Sequence, residues 1–166
     1  MRGFIDQGRV ILILLTLLFC QSAGTPSLAE NIEPVTPGPQ DRCPVCGMFT
    51  APFPDSLAQI VFRDGSYLTF DGPKDLFKYF LSPARYLPQE ASKEIKAVFV
   101  KDYYSLTPID ARSAWFVIGS DVFGPMGKEL IPFARQEDAS GFLQDHHGRA
   151  VLGFGEITAE VLKELD

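Results

Sequence analysis

The sequence predicts an α+β protein: two small tandem β-β-α-β units packed together, after an N-terminal export segment and a linker. Three observations predict this fold class. The order of strand-like and helix-like segments in the first half of the body is repeated in the second half. Each half is too small to bury a good hydrophobic core alone, so the two should pack against each other. The chain also has 14 phenylalanines, which supply large apolar side chains for such a core.

The first 29 residues have the pattern of a bacterial export signal. Arg2 and Arg9 lie beside an apolar run at residues 10–19, which has the length of a signal-peptide core and is too short for a relaxed membrane span. We therefore expect export to the periplasm. Cleavage after Ala29 would fit the small-x-small rule and would release a soluble periplasmic protein.

A second processing route depends on Cys20. Residues 17–20 read Leu-Leu-Phe-Cys, which resembles a bacterial lipobox, although Phe19 is bulkier than the residue that this pattern prefers. In this route the signal ends at residue 19, and the lipidated Cys20 tethers the protein to a membrane. We favour lipidation of Cys20 over cleavage after Ala29. Lipidation would also remove this cysteine from the pool of free thiols.

Composition divides the rest of the chain into a linker and two units. Residues 30–42 are rich in proline and lack apolar periodicity, which predicts an extended linker. The first β-β-α-β unit is assigned to residues 43–104 and contains a Cys-x-x-Cys-Gly-Met loop. The second is assigned to residues 105–166 and contains a Gly-Pro-Met-Gly loop and a C-terminal helix.

The first unit is predicted to contain a hairpin, a helix and a third strand. Asp64-Gly65 separates two β-prone runs, which is a strong hairpin signal. Either Asp71 or Gly72 should cap a helix that has Pro73 in its first turn and ends before Pro83. The strands are expected at residues 57–62, 66–70 and 95–100, and the helix at residues 74–81.

The second unit is predicted to repeat this order. Its strands are expected at residues 114–118, 129–134 and 150–154, and its helix at residues 137–145. Residues 119–128 form a glycine-punctuated connection that should run over the surface. Thr158 should cap a last helix at residues 159–165.

The formal net charge of the chain is −6. Nucleic-acid-binding domains carry a basic stripe, so this charge argues against a nucleic-acid partner. The charge is compatible with attraction of metal cations or of a basic protein surface.

The sulfur atoms of two loops are the candidate metal ligands. Cys43, Cys46 and Met48 fall within the run Cys-Pro-Val-Cys-Gly-Met, and Met126 lies in Gly-Pro-Met-Gly. Thiolate and thioether sulfurs are soft donors, and together they select Cu(I) over harder cations. Methionine is more often a core residue, but Met48 is next to the thiols and Met126 is on a surface connection. This pattern predicts copper handling.

Other uses of the Cys43/Cys46 pair stay open at this point. A structural zinc would need two more ligands, and the sequence has no second cysteine pair. A thiol–disulfide oxidoreductase needs its first cysteine at a helix N-terminus, whereas prolines follow Cys46 closely. His146 and His147 are expected at a solvated helix end, where one could at most assist a metal. Turn or capping roles are expected of Asp41 and Asp121.

The chain resembles the nitrous oxide reductase accessory proteins, the NosL-type copper chaperone lipoproteins. The matching segments are residues 42–48, Phe70-Asp71-Gly72 and the long block at residues 117–133, which is the most specific. The resemblance implies two β-β-α-β units similar to the unit in organomercurial lyase. It also implies an exported, usually lipid-anchored copper chaperone that is not an enzyme.

The resemblance further implies ligands and partners. Cys46 and Met48 fall on the family's Cys-Gly-Met, Met126 falls on its Gly-Pro-Met-Gly, and Cys43 would be an auxiliary ligand or redox partner. One Cu(I) would pass to apo nitrous oxide reductase or another copper enzyme, with a maturation ABC-transporter complex as docking partner. The family often has histidine where this chain has Lys128.

Overall fold

The computed structural model describes residues 32–166, and the first sheet begins with the hairpin that the sequence predicts. Strands β1 (Ala58–Phe62) and β2 (Tyr67–Phe70) pair antiparallel. Gly65 in the turn has φ +83°, a conformation that favours glycine. The export signal and Cys20 lie outside the described residues, so their processing stays a prediction.

The first sheet has four strands in the order β2-β1-β3-β4. Strand β3 (Ile95–Lys101) pairs with β1 on one side and with β4 (Pro108–Asp110) on the other, both antiparallel. The sequence analysis does not predict β4, because three residues with a proline give no periodic signal. This strand follows the expected boundary at residues 104/105 yet completes the first sheet. The division of the body into two units stays a prediction.

Two short helices follow the first hairpin. Helix α1 (Pro73–Leu81) begins after Gly72 with Pro73 at its first position, and helix α2 (Pro83–Tyr86) follows Ser82. Gly72 occupies the cap position without a side-chain hydrogen bond, so Asp71 is not the cap. The carboxylate of Asp71 is thereby left for another partner.

The second sheet is three-stranded with the order β8-β5-β9. Its middle strand, β5 (Trp115–Ile118), pairs antiparallel with β8 (Ile131–Phe133) and β9 (Ala150–Gly153). Helix α3 (Gln136–Asp145) connects the last two strands, so the predicted β-β-α-β order is present here too. Helix α4 (Ala159–Lys163) begins at Thr158, whose side chain accepts a hydrogen bond from the Val161 N–H as a cap.

The connection before β8 contains a small hairpin of its own. Strands β6 (Phe123–Gly124) and β7 (Gly127–Lys128) pair antiparallel and place Met126 at the tip, next to Gly127 with φ +87°. The predicted surface position of this connection is correct, because the side chains of Phe123 and Met126 are exposed.

The main core joins both sheets. Phe77 of α1 packs edge-on against Phe116 of β5 with 5.2 Å between ring centroids, and it also contacts Phe154 at 5.0 Å. Leu162 and Leu165 at the end of the chain belong to the same buried cluster. Among residues 32–166, no helix has the length and apolar character needed to cross a membrane.

Candidate metal centre

A tight loop presents the two cysteines of the body. The Cys43 N–H donates to the Met48 carbonyl at 2.9 Å, and the Gly47 N–H donates to the Cys43 carbonyl at 2.8 Å. Gly47 has φ +80°, so glycine is favoured at this position. The guanidinium of Arg42 lies 3.6 Å from the centre of the Phe49 ring and donates to the Gly47 carbonyl. These contacts stabilise the loop, in which no disulfide joins Cys43 to Cys46.

Two carboxylates from the start of α1 meet the thiols. The Cys46 thiol donates to Asp71 Oδ1 at 3.1 Å, and the Cys43 thiol donates to Asp75 Oδ2 at 3.3 Å. Asp71, Asp75 and Cys43 are buried, whereas Cys46 is partly exposed. Asp71 Oδ2 is buried and has no hydrogen-bond partner among the described residues. An unpartnered buried carboxylate oxygen is costly, and a bound cation would compensate for it.

The four residues form one donor set. The two thiol sulfurs and one oxygen from each carboxylate all lie within 4.8 Å of one another, which is close enough for a shared metal ion. The set is partly open to solvent at Cys46, so a metal could enter and leave from that side. Binding would remove the thiol protons and replace the two S–H···O contacts.

The surroundings disfavour free thiolates. Burial raises the pKa of the Cys43 thiol far above its ordinary value, and neighbouring Asp71 and Asp75 act in the same direction. Burial also raises the pKa of Cys46 to about 11, again helped by Asp71. The pKa of Asp75 is raised by burial as well. A dithiol oxidoreductase needs a depressed thiol pKa, so these surroundings do not suit that activity.

The hairpin that carries Met126 is bound to the same turn of α1. Lys74, between the two aspartates, donates from Nζ to the Met126 carbonyl at 3.0 Å. The Lys74 N–H donates to Glu129 Oε1 at 2.6 Å, just beyond the hairpin. Thus the cysteine loop and the Met126 hairpin, far apart in sequence, both contact residues at the start of α1. Met48 is partly buried and Met126 is 45% exposed.

Glu129 is a buried carboxylate that the sequence analysis missed. It accepts backbone N–H donors from Lys74 and from Leu130, the latter at 2.9 Å. Burial is the largest influence and raises the pKa of Glu129 to about 8. The folded protein therefore keeps a proton on this group at pH values where the unfolded chain has released it.

A pH dependence of stability follows from this carboxyl group. Its folded pKa of about 8 lies above the ordinary 4.5, so unfolding releases a proton in this window and stability should fall as the pH rises through it. Between pH 5 and pH 8 the free energy of unfolding of the wild-type protein should fall because of this group. We expect Glu129→Gln to make that fall smaller by more than about 1 kcal/mol. Urea unfolding of both proteins at the two pH values measures this difference. Parallel pH profiles for the two proteins would contradict the prediction.

The histidines and aspartates that the sequence analysis assigned to helix ends and turns lie apart from the thiols. His146 ends α3, stacks on Phe142 and lies 2.9 Å from Asp121 through Nδ1. The Asp41 carboxylate accepts hydrogen bonds from the Gly38 N–H and from the Tyr67 hydroxyl, as a turn residue does. His147 has φ +52° directly after the helix end. None of these side chains is in the four-residue donor set.

The sequence held one usable signal for the missed aspartates. Asp71 and Asp75 lie on either side of the helix start at Pro73. Carboxylates are favoured near a helix N-terminus. Nothing in the sequence indicates that the cysteine loop packs against this helix start.

The comparisons with known proteins identify the family. This chain belongs to the NosL family, because the family model described as NosL matches residues 34–162. The copper-binding lipoprotein NosL of Stutzerimonas stutzeri is 32% identical over 165 residues, which covers 96% of this chain and 84% of that protein. The crystal structure of the copper chaperone NosL from Shewanella denitrificans superposes with a TM-score of 0.60 at 29% identity. That match covers 76% of this chain and 99% of the other. The α+β fold predicted from the sequence is confirmed.

Proposed function

We propose that this chain is a periplasmic copper chaperone that carries Cu(I) without catalysing a reaction. Cys46 is the thiolate anchor, Met48 and Met126 are thioether ligands, and Cys43 is an auxiliary ligand or redox partner. Two relatives are named as a copper-binding lipoprotein and a copper chaperone, which supports copper as the cargo. Soft sulfur donors support the monovalent ion.

The observation that carries this proposal is that both loops contact residues at the start of α1. Asp71 and Asp75 contact the two thiols, and Lys74 between them binds the backbone of Met126. The Met126 backbone at the hairpin tip is therefore tied, through the Lys74 side chain, to the helix start against which Cys46 packs. The partial exposure of the Met126 side chain makes it a ligand that can reach the metal or leave it.

Such a site suits transfer rather than storage. Thioethers are not protonated at neutral pH, so methionine ligands stay available while the thiols remain protonated in the absence of metal. Copper entry at Cys46 displaces one proton, and the thioethers complete a coordination shell of low number. A recipient can then attack the open position and replace Met126, Met48 and Cys46 in turn. No bond of the protein chain is made or broken.

The recipient and the location extend the same proposal. Apo nitrous oxide reductase, or another copper enzyme, would receive the ion, and a maturation ABC-transporter complex would dock the chaperone beside it. Lipidation at Cys20 would keep the protein at the membrane surface where such a complex lies. Mass spectrometry of the mature N-terminus distinguishes a lipidated Cys20 from cleavage after Ala29.

Met126→Leu is the first test of the copper site. We expect the affinity for Cu(I) to fall about tenfold, because leucine fills similar volume without a sulfur donor. The free energy of unfolding should change by less than about 0.5 kcal/mol, because the side chain is exposed. Competition with a colorimetric Cu(I) chelator under reducing conditions measures the affinity, and urea unfolding measures the stability. A large stability loss with unchanged copper affinity would make Met126 a packing residue and contradict the site.

A further inference from the structure

Lys74 is a buried lysine whose ammonium group has two backbone partners. Its exposed fraction is 3%. Its Nζ donates to the Met126 carbonyl at 3.0 Å and to the Leu165 carbonyl at 3.2 Å. Removing an ammonium group from water costs free energy, so a buried lysine needs hydrogen bonds that compensate for the lost hydration. These two bonds join α1 to the Met126 hairpin and to the C-terminus.

The same turn of α1 holds the hairpin at a second point. Glu129 accepts from the Lys74 N–H, and it fills the space between the backbones of Gly72 and Gly124. A Cβ added at Gly72 would lie 2.3 Å from Glu129 Oε2, and one added at Gly124 would lie 2.9 Å from the same atom. Contacts this close show that the base of the hairpin is fitted against the turn.

The tip of the hairpin lacks comparable support. Strands β6 and β7 have two residues each, and such a short isolated ladder is marginally stable in water. The side chain of Met126 is 45% exposed and that of Phe123 is 66% exposed, so burial fixes neither. The Lys74 ammonium is thus a main restraint on where the Met126 backbone lies.

We propose that Lys74 is a positioning residue that holds Met126 over the cysteine loop for copper coordination. This inference rests on the function proposed above. Asp75, which contacts the Cys43 thiol, lies beside Lys74 in the first turn of α1, and Asp71, which contacts the Cys46 thiol, lies just before that turn. The start of α1 therefore links the two loops. Preorganisation of this kind strengthens binding because the ordering cost is met during folding.

Lys74→Leu is the test variant, because it keeps most of the side-chain volume, removes the donor and adds no sulfur that could bind copper. We expect the Cu(I) affinity to fall about tenfold, a typical loss when a group that orients a ligand is removed. The variant should add no further loss in a protein that already carries Met126→Leu, since the two changes remove the same contribution. Lys101→Leu is the control for the loss of a lysine–carbonyl hydrogen bond, because Lys101 Nζ donates to the Leu106 carbonyl at 3.1 Å and not to the Met126 backbone.

NMR of protein labelled at the methionine methyl groups measures how Cu(I) changes the chemical shift of each methionine. A purely structural role of Lys74 would leave the response of Met126 to Cu(I) unchanged. Met126→Leu and Met48→Leu identify the two signals. In the wild-type protein Cu(I) should shift both signals. In Lys74→Leu it should still shift the Met48 signal and leave the Met126 signal nearly unchanged. Lys74→Gln replaces the leucine variant if circular dichroism shows that the latter does not fold.

The outcomes separate this inference from the proposed function. If Cu(I) shifts neither methyl signal in the wild-type protein, both the copper site and the role of Lys74 are wrong. If Cu(I) shifts both signals equally in the wild-type protein and in the Lys74 variant, with unchanged affinity, only the role of Lys74 is wrong. Additive losses in the double variant would likewise overturn the positioning role.

Discussion

Replacing Cys46 with serine is expected to lower the affinity for Cu(I) about 1000-fold, or ~4 kcal/mol. A serine hydroxyl is a hard, weak donor, so the substitution removes the one thiol of the cluster that solvent reaches and that would bind Cu(I) as a thiolate. The Asp71 carboxylate keeps a hydrogen-bond donor, because the serine hydroxyl can replace the thiol that now lies 3.1 Å from Asp71 Oδ1. The fold should therefore persist while the metal is lost.

Cys43→Ser is the matched control for this prediction. Cys43 is 1% exposed and bonded to Asp75, so it should act as an auxiliary ligand whose loss weakens copper binding and does not abolish it. A zinc-stabilised adaptor or a thiol–disulfide oxidoreductase would instead lose its function with either cysteine. Chelator competition and metal analysis of both variants, with unfolding curves, test this difference. Equal and complete loss of copper in the two variants would refute the assignment of Cys46 as the main anchor.

Phe77→Ala is expected to destabilise the protein by about 3–5 kcal/mol, because it removes a large side chain from the centre of the core. Phe77 is 1% exposed and contacts the rings of Phe116 and Phe154 at 5.2 and 5.0 Å. It extends from α1 beside the first sheet to β5 of the second sheet. A cavity at this position would weaken the packing between the two sheets, and neither sheet can bury enough apolar surface alone. Total stabilities of small proteins are only about 5–15 kcal/mol, so the loss is severe.

Phe123→Ala provides the control for this effect. The residue type and the change are the same, but Phe123 is 66% exposed at the hairpin. We expect its free energy of unfolding to stay within about 0.5 kcal/mol of wild type. Urea unfolding curves of the two variants measure the contrast. A similar cost at both positions would show that α1 does not join the two sheets as described.

The strands and helices that the sequence predicts well are those with local signals. The Asp64-Gly65 turn, the proline at the start of α1 and the Thr158 cap each act through neighbouring residues, and all three are present in the structure. Strand β4 and the hairpin around Met126 are missed. They are two or three residues long, and pairing with distant backbone defines them more than any periodicity does.

The candidate site divides in the same way. The sulfur residues stand out in the sequence because Cys-x-x-Cys-Gly-Met and Gly-Pro-Met-Gly are rare local patterns. The charged residues around them do not stand out in the sequence, since each is an ordinary charged residue near a helix start or strand end. They are Asp71, Lys74, Asp75 and Glu129. Their importance comes from burial and from partners up to 91 residues away. Only the folded chain brings these groups into contact.

The sequence by itself determined the fold class, the order of the longer strands and helices, and the sulfur chemistry of the candidate ligands, because backbone preferences and donor softness are local properties. The tertiary structure decided that two carboxylates meet the two thiols, and that a buried lysine ties the Met126 hairpin to the same helical turn. Those contacts depend on desolvation and on packing between segments far apart in the chain, which no local pattern encodes.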